Sequence, residues 1–125
     1  MDIKIGVNDL QKAISDILTE YGDYVYKLTE EGLAEAEKVL IQAEKDASPV
    51  GTGEYKKSWK GSGKKYKLSR YVGNVKTVKG KSGDIPLANI LEYSAKSKHQ
   101  GKIKRTYNAA VPEMAKAIVN KIKEG

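Results

Sequence analysis

The chain has 125 residues and a mass of 13.7 kDa, with 23 Lys and Arg against 16 Asp and Glu, a formal net charge of +7 and a pI near 9.4. That length suits a single domain over residues 1–125, and a 39% hydrophobic content with no Phe and one Trp leaves Leu, Ile, Val and Ala to build the core. The absence of Cys excludes disulfides, thiolate metal sites and a cysteine nucleophile, and no apolar run approaches the roughly 20 residues of a membrane span. No charged-then-apolar signal segment opens the sequence, so a small, soluble, intracellular protein is expected.

Ile3, Ile5 and Val7 alternate with polar residues or Gly, the period of a short strand. Asn8 is placed to cap a first amphipathic helix carrying Leu10, Ala13, Ile14, Ile17, Leu18 and Tyr21, with Gly22 near its end. Asp23 then caps a second, longer helix, whose stripe runs through Val25, Leu28, Gly32, Ala36, Val39, Leu40, Ala43 and Ala47. Small residues in that stripe let another element approach closely, and Asp23/Lys27 and Glu35/Lys38 are spaced to pair on the other side. Ser48-Pro49 stops the helix, because the residue before proline resists the helical region.

Residues 51–83 hold seven glycines and many lysines with no 3.6 period. Tyr55, Trp59, Tyr66, Leu68, Tyr71, Val72, Val75 and Val78 fit two or three short antiparallel strands, with Gly61-Ser62-Gly63 as a turn. Val78–Asp84 reads as an exposed, mobile loop, Leu87–Tyr93 as a short helix or strand end, and Ser94–Thr106 as a basic, flexible segment. A terminal helix carries Ala110, Met114, Ala117, Ile118 and Ile122, with Pro112 in its first turn. The fold class is α+β: N-terminal helices, one of them long, and a C-terminal helix packed on a small antiparallel sheet.

Charge is placed unevenly: residues 1–53 hold 5 basic and 11 acidic side chains, whereas residues 54–106 hold 15 and 3. This segregation implies either an electrostatic match within the fold or two faces meant for different neighbours, and in a homo-oligomer it favours head-to-tail contacts that close into rings.

Catalytic and ligand motifs fail on inspection. Gly80-Lys81-Ser82 ends like a phosphate-binding loop, but Val75 stands where the first Gly belongs and no helix is predicted to follow. Gly63-Lys64 lacks both the earlier Gly and the following hydroxyl, and Gly51-Thr52-Gly53 has Lys56 at the third glycine position of a dinucleotide fingerprint. His99, the only histidine, lies in a polar stretch with no Cys to join it and reads as a solvated loop residue. Glu30, Glu31, Glu35, Glu37 and Glu44 spread at helical spacing over a polar, solvated or partner-facing surface rather than forming a carboxylate pair. No catalytic, cofactor or metal site is assembled from these residues, and the expectation is a protein that is not an enzyme. Fifteen Lys and Arg interleaved with Tyr55, Trp59, Tyr66, Tyr71 and Tyr93 also have the composition of a phosphate-tracking surface. Twenty-one Lys against two Arg favours diffuse attraction over base readout. A small basic nucleic-acid-binding protein is therefore the alternative reading.

The most specific segment is Ala47-Ser48-Pro49-Val50-Gly51-Thr52-Gly53-Glu54-Tyr55-Lys56-Lys57-Ser58-Trp59. A long Ala-rich helix ending in A-P-V-D-T-G-x-L-x-x-S resembles the HK97 gp10-like family of tailed-phage neck and tail-completion proteins. The resemblance rests on Pro49, Val50, Thr52, Gly53 and Ser58, with Gly51 for the usual Asp, Tyr55 for Leu and Ser48 inserted before the proline. Downstream, Leu91-Glu92-Tyr93-Ser94 is similar to the family's V/L-E-F/H-G motif, with Ser94 for Gly, and the order of elements agrees over nearly the whole chain. The family's proline-rich approach to the last helix is replaced by Arg105-Thr106-Tyr107-Asn108-Ala109-Ala110.

Read physically, Pro49 ends a helix, Gly51 and Gly53 allow a tight reversal, the Thr52 and Ser58 hydroxyls serve exposed backbone groups, and Trp59 anchors the returning strand. This makes the segment a fold-defining corner, with Glu92 as its downstream companion in the motif. Partner or DNA contacts are expected instead on the two basic segments, at Lys79, Lys81, Lys96, Lys98, Lys102, Lys104 and Arg105. The resemblance implies a virion protein of the neck or tail region, assembled in the host cytoplasm. It would form a ring on phage connector, adaptor and tail proteins, with basic residues facing DNA in the channel and no membrane partner.

Overall fold

The structure, a computed structural model, describes the backbone of residues 2–6, 11–49, 51, 53–65 and 68–124, and the side chains of residues 3–5, 26–49, 51, 53–65 and 68–123. Strand β1 (Asp2–Gly6) is followed by helix α1 (Gln11–Ala47), the short helix α2 (Glu54–Lys57) and strand β2 (Trp59–Gly61). A 3-10 turn (Gly63–Lys65), strands β3 (Ser69–Asn74), β4 (Thr77–Gly80) and β5 (Gly83–Pro86), and helices α3 (Leu87–Tyr93) and α4 (Lys102–Glu124) complete the chain. The class is α+β, as the sequence patterns require.

The two N-terminal helices expected on either side of Gly22 are one helix of 37 residues, about 55 Å long at 1.5 Å per residue. An interior glycine costs only about 1 kcal/mol, and without a proline the long flanking segments carry the helix through it. The expected Asn8 cap, the Asp23/Lys27 pair and the side chain of Val25 lie outside the described residues. The Glu35/Lys38 pair forms at 3.3 Å on the exposed side.

The buried stripe of α1 runs through Thr29, Gly32, Leu33, Ala36, Leu40 and Glu44, and α4 faces it with Ile103, Ala110, Met114 and Ile118. Burying each large aliphatic among these contributes about 1.5–3 kcal/mol. The helices approach closely at Gly32, where an added Cβ would stand 2.8 Å from the Ile118 Cα. The small-residue stripe therefore does what its composition implies.

Strands β1, β3 and β2 form an antiparallel sheet in that order, with Ile3 opposite Val72, Ile5 opposite Arg70 and Trp59 opposite Asn74. Ile5, Val72 and Trp59 enter the core shared with α1 and α4. Arg70 also points inward, where its guanidinium donates to the Glu37 carboxylate at 2.9 Å. Gly61 makes room for this pair, since a Cβ there would collide with the Glu37 carboxylate.

Three further expectations are corrected. Val78–Asp84 is not a loop but most of a two-stranded hairpin, with Gly80 opposite Gly83 and Lys81-Ser82 as its turn. Gly83 takes φ +127°, a region closed to side-chain-bearing residues, which is the local reason the turn can close. Ser94–Thr106 is not flexible throughout: hydrogen-bonded turns from Ser94 to Gly101 lead into α4, which already holds residues 102–106. Pro112 consequently lies inside α4 rather than in its first turn.

Candidate functional site

The corner at the C-terminal end of α1 is built from residues that bond to one another. The Ser48 hydroxyl donates to the Glu44 carbonyl at 2.6 Å and accepts the Trp59 indole N–H at 2.8 Å, so the end of α1 is tied to the start of β2. Pro49 is half-buried, and Gly53 takes φ +85° as the entry to α2. Ser58 closes α2 by donating its hydroxyl to the Glu54 carbonyl at 2.6 Å. Trp59 is 5% exposed and meets the Tyr55 ring edge-on at 5.9 Å between centroids. Asn74 adds the last tie, donating its side-chain amide to the Tyr55 carbonyl at 2.7 Å. Val50 and Thr52 lie outside the described residues.

The second motif segment reaches the same place from the other side. Glu92, only 3% exposed, accepts the backbone N–H of Ile103 at 2.8 Å through Oε1 and that of Lys104 at 3.0 Å through Oε2. Its own carbonyl accepts the Gly101 N–H at 3.0 Å. A carboxylate on α3 thus caps the first turn of α4, serving orphan N–H groups at the positive end of that helix. This explains why α4 starts at Lys102 with no capping side chain of its own.

Between the two segments lies a small cavity bounded by Glu44, Ser48, Pro49, Tyr55, Leu91 and Thr106, with His99 and Lys102 also contributing to its wall. Its volume of about 20 Å³ accommodates a water molecule and is far below the roughly 300 Å³ of a small-molecule site. Glu44 is 2% exposed, and its Oε2 has no hydrogen-bond partner among the described residues. Burial pushes this carboxyl up to about 8, the charge of Glu92 adds to the rise, and the Thr106 hydroxyl opposes it. Tyr55 is pushed up to about 12, again by burial first and then by Glu44 and Glu92.

The expectation of a fully solvated glutamate face on α1 therefore fails at Glu44. The outward-facing pattern also fails at Glu37, which binds Arg70, and at Glu30, whose Oε1 accepts the Leu68 N–H. His99 is half-buried in the cavity wall rather than solvated.

Of the basic residues singled out from the sequence, Lys79 and Lys81 lie on the hairpin and Lys96 and Lys98 on the turns before α4, all exposed. Lys102, Lys104 and Arg105 occupy the first turn of α4. Lys102 is half-buried beside the cavity, and the exposed Arg105 donates to the Gln100 carbonyl at 2.9 Å. The structure thus brings the two motif segments together and spreads the basic candidates over three elements.

The buried roles of Glu44 and Glu92 escape sequence reasoning, because each depends on a neighbour far along the chain. Glu92 carries one weak signal: it sits one turn after Ala88 on the inward side of α3, where a solvated acid has no place.

No known protein family, curated protein or solved structure was found to match the chain.

Proposed function

We propose that this protein is a non-enzymatic virion component of a tailed phage or prophage, a head–tail joining or tail-completion protein that assembles as a ring at the connector–tail interface. The observation that carries this reading is the convergence of Pro49, Gly53, Ser58 and Trp59 with Glu92 around one corner. Pro49, Gly53, Ser58 and Glu92 are among the residues on which the resemblance to the HK97 gp10-like family rests, and Ala47, Pro49, Trp59 and Leu91 border the same cavity. A motif whose two halves support each other is a scaffold, and a scaffold leaves contacts to the surfaces it positions.

Those surfaces fit a head-to-tail contact. The described ion pairs are Glu35 with Lys38, Glu37 with Arg70 and Glu54 with Lys76. Glu37 with Arg70 joins the acidic first part of the chain to the basic middle, while Lys79, Lys81, Lys96 and Lys98 are exposed and offer positive charge to a neighbouring copy. Outside the core, Ile90 and Tyr93 on the outer side of α3 and Ile85 on β5 supply exposed apolar area of the kind an interface buries.

Deleting the gene from its parent phage or prophage and viewing induced lysates by negative-stain electron microscopy tests the proposal. Filled heads beside unattached or abnormal tails are expected. Normally tailed particles at wild-type yield would refute it.

A further inference from the structure

Helix α3 and the turns that follow it close one side of the corner. Between Leu87 and Gly101 only Ala88 and Glu92 are buried, so this segment has little apolar hold on the rest of the molecule. Its polar hold is the Glu92 carboxylate, which accepts the N–H groups of Ile103 and Lys104. Leu91 and His99 line the cavity around Glu44 on one side, and with Leu87 they line an outer groove of about 210 Å³ on the other. Pro49 and Tyr55 also border both spaces, so a thin wall of side chains separates the Glu44 cavity from the open groove.

The ionisable groups around Glu44 come from every element packed on it: Tyr55 from α2, Glu92 from α3, His99 from the turns and Lys102 from α4. The Thr106 hydroxyl of α4 bonds the carboxyl, but Oε2 has no partner among the described residues. Neither Lys102 nor His99 forms an ion pair with Glu44 or Glu92 among the described residues. A neutral carboxyl suits this enclosure, and a carboxylate does not. Once charged, Glu44 would stand beside a second carboxylate with no paired cation, in a space of about 20 Å³ that admits a single water.

We propose that neutral Glu44 is a latch, whose ionisation opens the corner locally by releasing α3 and the turns up to Gly101 while α1 and α4 stay packed. The wall gives way rather than the helix pair because the aliphatic residues joining α1 to α4, among them Leu33, Leu40, Met114 and Ile118, lie outside this segment. Opening joins the cavity to the outer groove, hydrates the carboxylate and frees the N–H groups that Glu92 holds. Because α3 carries the exposed Ile90 and Tyr93, the latch also decides whether that apolar surface is held in a fixed place. The inference rests on the geometry of the corner and not on the proposed virion role.

Native-state hydrogen exchange of the full chain, followed by NMR from about pH 5.5 to pH 7.5 and corrected for intrinsic exchange rates, tests the latch. The Ile103 and Lys104 amides report on it directly, because their hydrogen bonds end on Glu92. Their protection should fall by about tenfold per pH unit, since the open state releases a proton that the closed state retains up to about pH 8. At each pH they should be at least about tenfold less protected than the Met114 and Ile118 amides, which exchange through global unfolding. Glu44→Gln should hold their protection constant over the range, whereas His99→Gln, which removes another ionisable group of the wall, should keep the wild-type slope. Any one of four results would overturn the proposal: protection in the wild type that ignores pH, protection equal to that of Met114 and Ile118, a slope that survives in Glu44→Gln, or a slope that disappears in His99→Gln. The first two need no variant, so the test does not depend on a substituted chain folding.

Discussion

Two glutamates of the corner have opposite electrostatic circumstances, and each makes a prediction. Glu92 is charge-matched: its carboxylate receives two backbone N–H groups at the positive end of α4. Hydrogen bonds to a charged group contribute roughly 1.5–3 kcal/mol. Glu92→Ala is therefore expected to lower the urea-unfolding free energy by about 2–3 kcal/mol, and Glu92→Gln, which keeps one acceptor, by about half as much. Glu44 is the reverse case, a carboxyl that its surroundings keep protonated. Its folded-state pKa, about 8, lies above the ordinary value of 4.5, so the folded protein holds this proton more tightly than the unfolded chain does. The stability Glu44 contributes is fully present below the ordinary value and is lost as pH rises through about 8. Melting temperatures followed from pH 5 to pH 9 should fall in the wild type, and Glu44→Gln should flatten that fall and be the more stable protein at pH 9.

The elements show how far local pattern reaches. Ile3 and Ile5, Leu40, Met114 and Ile118 were legible as core because strand and helix periods require only neighbours in sequence. So was the corner, since Pro49, Gly53 and Trp59 act within a few residues of one another. The boundary at Gly22 was misread because glycine is a weak helix breaker next to long helix-forming flanks. The start of α4 was misread because its cap is supplied by Glu92, from another element. The hairpin β4–β5 was misread because its strands are short, polar and glycine-bounded, so that their pairing with each other decides the structure. Pro112 has a measurable consequence within α4. It lacks the N–H that would bond back to the Asn108 carbonyl and crowds the preceding turn, at a cost of up to about 3 kcal/mol. Pro112 is exposed, so Pro112→Ala removes little packing and is expected to raise the melting temperature by several degrees.

For the molecule as a whole, charge is the property that joins the structural observations. Acidic residues dominate α1, and basic ones occupy the hairpin, the turns before α4 and the first turn of α4. In isolation, net charge of one sign keeps copies apart, and only a partner that fixes their orientation lets acidic and basic faces meet in register. Sedimentation velocity of the purified chain near physiological salt is expected to show a monomer of 13.7 kDa. A stable free ring would contradict the assembly-on-partner mode.

The packing of Gly32 on Ile118 also sets the order of events during folding. These partners come from opposite ends of the sequence, so the main helix–helix interface closes only after most of the chain has been synthesised. Until then α1 presents its apolar stripe without its mate, and the local hairpin β4–β5 has ample time to form first. Such a high-contact-order closure is slow and leaves a sticky intermediate. Expression yield should therefore depend more on chaperone cover until α4 has been made and can dock than on the stability of the finished fold.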